Sequence, residues 1–173
     1  MDLRKQLEDA LRGSTCVIGL GNTEYGDDGF GMHLAAQLIA AGLPHVVTAG
    51  NAPERYLGRA ADSNFDRVLF LDAVDVGAEP GSAVLLNSDE MSSRFPQVST
   101  HKISLGLLAK WAEENGVGEV WLLGVQPESI RPGDKVTPKL EATLEIVADV
   151  LQDILLKSAT APRTRGSGAG VTS

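Results

Sequence analysis

The stretch TCVIGLGNTEYGDDGFGMH, residues 15–33, joins an apolar run to a glycine-rich loop and then to a second apolar segment. An apolar run followed by a glycine-rich turn and a helix is typical of the first strand of a parallel α/β domain. Such a turn usually holds a phosphate. Here it contains the adjacent carboxylates Asp27 and Asp28, which need another explanation.

The charge of this loop argues against a bound nucleotide. A dinucleotide fingerprint, G-x-G-x-x-G, needs a third glycine where this chain has Glu24, and no Gly-Lys-Ser/Thr is present for a Walker loop. Three carboxylates would repel a phosphate at the helix N-terminus, and no Lys or Arg lies between Gly13 and Arg55. The loop is therefore suited to a cation or a proton.

The two aspartates also have a purely structural interpretation. They precede a helix expected from Gly29, and Asp is a favoured N-cap residue. We therefore expect one of the pair to cap that helix, while Asn22 and Gly26 supply the turn. Capping uses a single carboxylate, so the other remains available for chemistry.

The rest of the chain alternates short apolar runs with longer helical segments. This alternation predicts right-handed βαβ crossovers and a three-layer α/β/α sandwich with a mostly parallel central sheet. The expected strands are 15–20, 45–48, 67–71, 83–86 and 120–125. The expected helices are 2–11, 29–41, 53–61, 103–115 and 138–156. We expect residues 1–157 to form one domain and residues 158–173 a disordered tail.

Composition excludes several classes of protein. The 173-residue chain has a net charge of −8, and its Lys and Arg form no run longer than a pair, which disfavours nucleic acid as a partner. No apolar stretch suits a signal peptide or a membrane span, so we expect a cytoplasmic protein without membrane insertion. Cys16 lies in an apolar run and is expected to be a buried hydrophobe rather than a nucleophile.

Candidate site residues stand where strands end or helices begin. Asp72 follows the apolar run VLFL, and His101 comes shortly before an expected helix. Because the carboxyl ends of parallel strands meet at one edge, Asp28, Asp72 and His101 could lie together. Two carboxylates and an imidazole suit nickel or zinc, and the same set could instead carry out acid and base chemistry on water. We interpret His33 as a helix-surface residue and His45 as a strand-edge residue.

Read with their neighbours, these residues resemble the nickel-iron hydrogenase maturation endopeptidases. The matching segments occur in family order and spacing. They are GLGNTEYGDDGFG at 19–31, GNAPE at 50–54, VLFLDAVDVGAEPG at 68–81, STHKISL at 99–105 and LLGVQPESI at 122–130. The GNAPE and THK segments are most similar to the subgroup that serves hydrogenase 3 of formate hydrogenlyase complexes.

The resemblance implies an aspartic-type endopeptidase that removes a C-terminal extension from the hydrogenase large-subunit precursor after nickel insertion. By motif position, Asp28, Asp72 and His101 correspond to the family's metal-contacting residues, and they are our candidates for both metal binding and catalysis. Some relatives carry Glu in place of Asp28. Nickel would arrive with the precursor, so we expect no tightly bound cofactor. The trio either recognises that nickel or activates a water polarised by it.

Two other classes of protein stay open at this point. One is a nickel-sensing accessory or chaperone protein for hydrogenase assembly without peptidase activity. The other is a nucleotide-binding α/β domain, which the loop charge disfavours. Residues 124–128, GVQPE, form either a simple strand-end loop or a substrate-binding turn. The expected partner is the precursor alone, and the expected state is a monomer.

Overall fold

A five-stranded sheet forms the centre of the protein in a computed structural model, which describes residues 2–94 and 104–160. The strands are β1 Thr15–Leu20, β2 Val46–Gly50, β3 Arg67–Ala73, β4 Ala83–Asn87 and β5 Glu119–Val125. The helices are α1 Leu3–Ala10, α2 Phe30–Ala40, α3 Glu54–Asp62, α4 Ser88–Arg94, α5 Leu105–Glu114 and α6 Pro138–Thr160. A short 3₁₀ turn, Gly26–Gly29, precedes α2.

The strand order is β2-β1-β3-β5-β4, and all neighbouring pairs are parallel except β4 with β5. The connection from β3 to β4 contains no helix, whereas parallel strands need a long, usually helical crossover, so β4 runs antiparallel at the edge. Helices α1, α2 and α6 cover one face, and α3, α4 and α5 cover the other. The predicted three-layer sandwich with a mostly parallel sheet is confirmed.

The central strands are buried on both faces, which explains their nearly unbroken apolar sequences. Every residue of β1 is buried, as are Val68 to Asp72 in β3. Each side of the sheet packs against its own layer of helices, with Phe30 in one core and Phe70 in the other. Within the described ranges, no helix is long and apolar enough to cross a membrane.

Most predicted bounds differ from the structure by one or two residues, and two of the differences have consequences for the fold. Strand β2 begins at Val46, because His45 has a φ of 61° and that left-handed conformation cannot continue a strand. Helix α6 continues to Thr160, beyond the expected domain end at residue 157. The remainder of the predicted tail, 161–173, and the predicted start of α5 at 103 lie outside the described residues.

Helix α4 was absent from the sequence prediction because SDEMSSR has no apolar periodicity and buries only Ser88 and Met91. Its start does carry a signal, since Asn87 Oδ1 accepts a hydrogen bond from Glu90 N at 2.9 Å, as an N-cap does. Ser88 Oγ donates to Glu113 Oε2 at 2.8 Å, which attaches α4 to α5. Tertiary contacts therefore stabilise α4, whose own sequence gives little indication of a helix.

Helix α2 approaches the sheet so closely that glycine is required on both sides. A Cβ on Gly31 would collide with Leu71 O and would lie 2.6 Å from Leu20 O. A Cβ on Gly19 would lie 2.6 Å from Gly31 O and 2.5 Å from Ala35 Cβ. The close contact between α2 and the sheet is thus made at Gly31. The third glycine of a dinucleotide fingerprint, whose position Glu24 occupies here, is not needed for this contact.

Gly31→Ala should lower the free energy of unfolding by about 1–3 kcal/mol, because the added methyl overpacks a backbone contact. The matched control is Gly58→Ala in α3, where a Cβ meets no atom within 4 Å. That change should raise stability by about 0.5–1 kcal/mol, since alanine is the better helix former. Urea unfolding measures both, and equal effects of the two substitutions would contradict the close-contact interpretation.

Candidate active site

The site lies at the carboxyl edge of the sheet, where strand order reverses. The chain leaves β1 towards β2 on one side, while β3 lies on the other side of β1. Ligands of open α/β sheets bind in the crevice at such a switch point. The loop that follows β1 and the residues that end β3 therefore border the expected binding crevice.

Gly21 brings two predicted site residues together at this edge. It has a φ of 113°, and a Cβ there would collide with the carbonyl oxygen of Asp28. The same Cβ would lie 3.6 Å from Asp72 Oδ1, so the carboxylate of Asp72 faces Gly21 as well. Asp72 is 4% exposed at the end of β3, whereas Asp28 is half-buried in the 3₁₀ turn. Only glycine leaves room for this arrangement.

The segment GNAPE, which helped to carry the family resemblance, meets the same edge. Gly21 N donates a hydrogen bond to Gly50 O at 3.0 Å. Gly50 N in turn lies 3.2 Å from Met32 Sδ and donates to it. The loops after β1 and β2 are thereby joined beside the two carboxylates.

The third predicted residue, His101, lies outside the described residues. Residues 2–94 and 104–160 contain no group of three or more His, Cys, Asp or Glu side chains placed to hold a metal ion. The structure therefore places the Asp28 backbone and the Asp72 carboxylate beside the same glycine, and the complete trio stays a prediction.

The expectation that one aspartate caps α2 was wrong. The N-cap of α2 is Gly29, and no side-chain hydrogen bond caps it. Both aspartates lie inside the 3₁₀ turn that precedes the helix, and Asp28 Oδ2 accepts a hydrogen bond from Asn22 N at 2.8 Å. The predicted turn residues are as expected, since Asn22 Oδ1 accepts from Glu24 N at 2.9 Å and Gly26 has a φ of 55°.

Asp27 has a role that the sequence did not reveal. Its side chain is fully buried and accepts hydrogen bonds from residues 128, 129 and 137, in the loop between β5 and α6. Thr137 stands at the start of α6, where its carbonyl accepts from Glu141 N at 2.9 Å, and its hydroxyl donates to Asp27. The two neighbouring aspartates thus face different surroundings.

Gln126 is a second residue whose function the sequence left open. It is buried after β5, and its Oε1 accepts from Val76 N at 2.8 Å and Ala78 N at 3.3 Å. Its Nε2 donates to Asp75 Oδ1 at 3.2 Å. Gln126 thereby holds the loop after β3, which favours a structural role for this part of GVQPE. The loop between β5 and α6 also contains a depression of about 760 Å³, lined by residues 128–132, Asp134 and Thr137.

Cys16, His33 and His45 are not members of the predicted trio, although a Cβ on Gly29, the residue after Asp28, would lie 3.2 Å from His33 Nε2. His33 is exposed on α2, as predicted, and His45 is exposed just before β2 with its ring 5.0 Å from that of Phe65. Cys16 is buried in β1, and burial raises the pKa of its thiol to about 11. The prediction that Cys16 is a buried hydrophobe is confirmed.

The fold and its edge define a class: a doubly wound α/β protein with two aspartates, Asp28 and Asp72, beside Gly21 at the carboxyl edge of the sheet. Comparison with known proteins narrows this class. The family model of hydrogenase maturation proteases, HycI, matches residues 31–155. The chain therefore belongs to the hydrogenase maturation protease family and is an endopeptidase, a hydrolase of peptide bonds. The match begins after Asp28, so the assignment does not depend on the GDDG turn.

Individual relatives agree with the family model. The hydrogenase 3 maturation protease of Escherichia coli K12 is 32% identical over 138 residues, covering 79% of this chain and 87% of the relative. The crystal structure of HycI from Thermococcus kodakarensis is 29% identical, with a TM-score of 0.77 over 87% of this chain and 99% of that one. Escherichia coli HybD is 26% identical, with a TM-score of 0.71 over 84% and 93%. The family resemblance inferred from the motifs is confirmed.

Native protein should resist alkylation of Cys16 at pH 8, because a thiol with a pKa of about 11 has very little thiolate there. Iodoacetamide followed by intact-mass measurement gives the labelled fraction. Denatured protein, the control, should be labelled fully under the same conditions. Rapid labelling of the native protein would show that Cys16 is accessible and that its burial is misjudged.

Proposed function

We propose that this protein removes the C-terminal extension of a nickel-iron hydrogenase large-subunit precursor after nickel insertion. Through Asp28, Asp72 and His101, it recognises the nickel that the precursor carries. The observation that carries the proposal is the placement of Asp28 and the Asp72 carboxylate against Gly21, at the switch point of the sheet. The names of the three relatives described above, which are hydrogenase maturation proteases, support the class of substrate.

Electrostatics explains why a metal-bearing substrate would be preferred. Two carboxylates that border one crevice repel each other, and a cation placed between them relieves that repulsion. Carboxylates and imidazole are also suitable ligands for nickel. An acidic crevice therefore has affinity for a substrate chiefly when that substrate presents a cation, so nickel acts as part of the substrate rather than as a resident cofactor.

Hydrolysis then needs one water and a group that handles its proton. The water's oxygen joins the scissile carbonyl carbon, the peptide C–N bond breaks, and a proton passes to the departing amine. A carboxylate in the crevice can hold that proton between the two steps. Asp28 is the more accessible of the two aspartates, whereas Asp72, at the end of a buried strand, is itself buried.

We also propose that the protein is a monomer and that it acts in the cytoplasm. The single cysteine, Cys16, is a free thiol, as is usual in a reducing compartment. Size-exclusion chromatography with light scattering tests the monomer, and cell fractionation tests the compartment.

Nickel-loaded precursor should be cleaved and nickel-free precursor should not, because only the former presents a cation to the crevice. A time course with purified precursor, scored by the mass of the released C-terminal fragment, measures this difference. Equal cleavage of both forms would refute recognition of nickel. Intact precursor that keeps its nickel would favour the accessory-protein alternative.

Asp28→Asn should reduce cleavage of nickel-loaded precursor at least about ten-fold, since changes to metal-ligand surroundings have effects of this size. The amide oxygen can still accept from Asn22 N, so the melting temperature should hardly change. The matched control is Glu24→Gln, which removes the same charge from an exposed position in the same loop. If Asp28→Asn cleaves at the wild-type rate, Asp28 does not contact the metal.

A further inference from the structure

We propose that Asp27 is a positioning residue, which holds the turn carrying Asp28 by fastening it to the loop between β5 and α6. This inference deepens the proposed function, on which it rests for the role of Asp28. Asp27 itself is 0% exposed and so cannot meet a substrate. Its effect on the reaction has to pass through its neighbours.

The carboxylate of Asp27 is surrounded by hydrogen-bond donors. Oδ1 accepts from Thr137 N at 2.7 Å and lies 3.1 Å from Thr137 Oγ1. Oδ2 accepts from Glu128 N at 2.8 Å, from Ser129 N at 3.0 Å and from Thr137 Oγ1 at 2.9 Å. These donors come from a loop more than 100 positions further along the chain. One side chain therefore joins two distant segments.

This environment requires a carboxylate in particular. Each oxygen of Asp27 accepts from at least one backbone N–H, and a carboxylate is acceptor-only on both oxygens. An asparagine would place its NH₂ group against a backbone N–H in either orientation. At least one backbone N–H of this junction would then lose its hydrogen-bond partner.

Backbone contacts at Asp27 and at the residues just before it strengthen the same junction. Asp27 N donates to Ser129 O at 2.9 Å, and Gly133 N donates to Glu24 O at 2.8 Å. Gly26 has a φ of 55°, and a Cβ there would lie 2.7 Å from Ser129 O. The turn is thus held against the loop at Glu24, at Gly26 and at Asp27 itself.

Asp28 depends on this junction because it is the next residue in the same turn. Its N–H donates to Tyr25 O at 3.1 Å, and its Oδ2 accepts from Asn22 N at 2.8 Å. A group that meets a metal or a reacting atom has to be held within a fraction of an ångström by supporting hydrogen bonds. Asp27 supplies that support from the buried side of the turn, while Asp28 occupies the more open side.

Thr137 allows the junction to be weakened without changing Asp27. Thr137→Val removes the hydroxyl donor but keeps the backbone N–H, and Thr137→Ser keeps both. The matched control is Thr143→Val, also on α6, which removes a hydroxyl that donates to Gly81 O at 2.7 Å in a different loop. Asp27→Asn is the stronger variant.

The Asn22 amide proton is a built-in reporter, because its hydrogen bond ends on Asp28 Oδ2. We expect its NMR resonance to shift in Thr137→Val and Asp27→Asn, and to keep its position in Thr137→Ser and Thr143→Val. With nickel-loaded precursor, kcat/KM should fall about three- to ten-fold in Thr137→Val and more than about ten-fold in Asp27→Asn. Thr137→Ser and Thr143→Val should stay within about two-fold of the wild type.

An unmoved Asn22 resonance in both Thr137→Val and Asp27→Asn would overturn the proposal. A shifted Asn22 resonance with unchanged cleavage would mean that Asp27 has only a structural role. An equal loss of kcat/KM in Thr143→Val would mean that the loss comes from lower overall stability. If Asp27→Asn does not fold, the comparison of Thr137→Val with Thr137→Ser still tests the proposal. If the wild type does not cleave precursor, the proposed function fails, and the Asn22 resonance alone then decides whether Asp27 positions Asp28.

Discussion

The contact between the backbone of helix α2 and the sheet is the constraint on which the site depends. Gly31 touches the carbonyl oxygens of Leu71 and Leu20, so the start of the helix lies directly over β1 and β3. The chain between β1 and this contact is short and has to turn tightly, which Gly21 and Gly26 permit through positive φ angles. The turn is consequently confined to the switch point of the sheet, where a ligand can enter.

The adjacent aspartates in that turn show how surroundings separate two identical side chains. Asp27 is directed into the protein, where three backbone N–H groups and one hydroxyl satisfy it. Asp28 accepts from Asn22 N and stays half-buried near the Asp72 carboxylate. The first carboxylate serves the architecture of the loop, and the second is placed for the chemistry that we propose.

Much of this could be predicted from the residues. Apolar runs bounded by glycine and helical segments predicted the strands and the layer order, because a strand buried on both faces needs a continuous apolar sequence. The carboxylates at the edge followed from the rule that parallel strands end together. Helix α4 and the start of β2 could not be predicted in the same way. They depend on a contact between Ser88 and Glu113 and on the left-handed backbone of His45.

The sequence by itself determined the class of fold, the acidic character of the loop and the family, since periodicity, charge and motif order are all local properties of the chain. Tertiary structure alone decided which aspartate faces inward and that neither caps α2. It also decided that Gln126 holds the loop after β3. The partners of Asp27 and Gln126 lie roughly 50 to 110 positions away in sequence. Hydrogen bonds of this kind exist only after the sheet has brought those segments together.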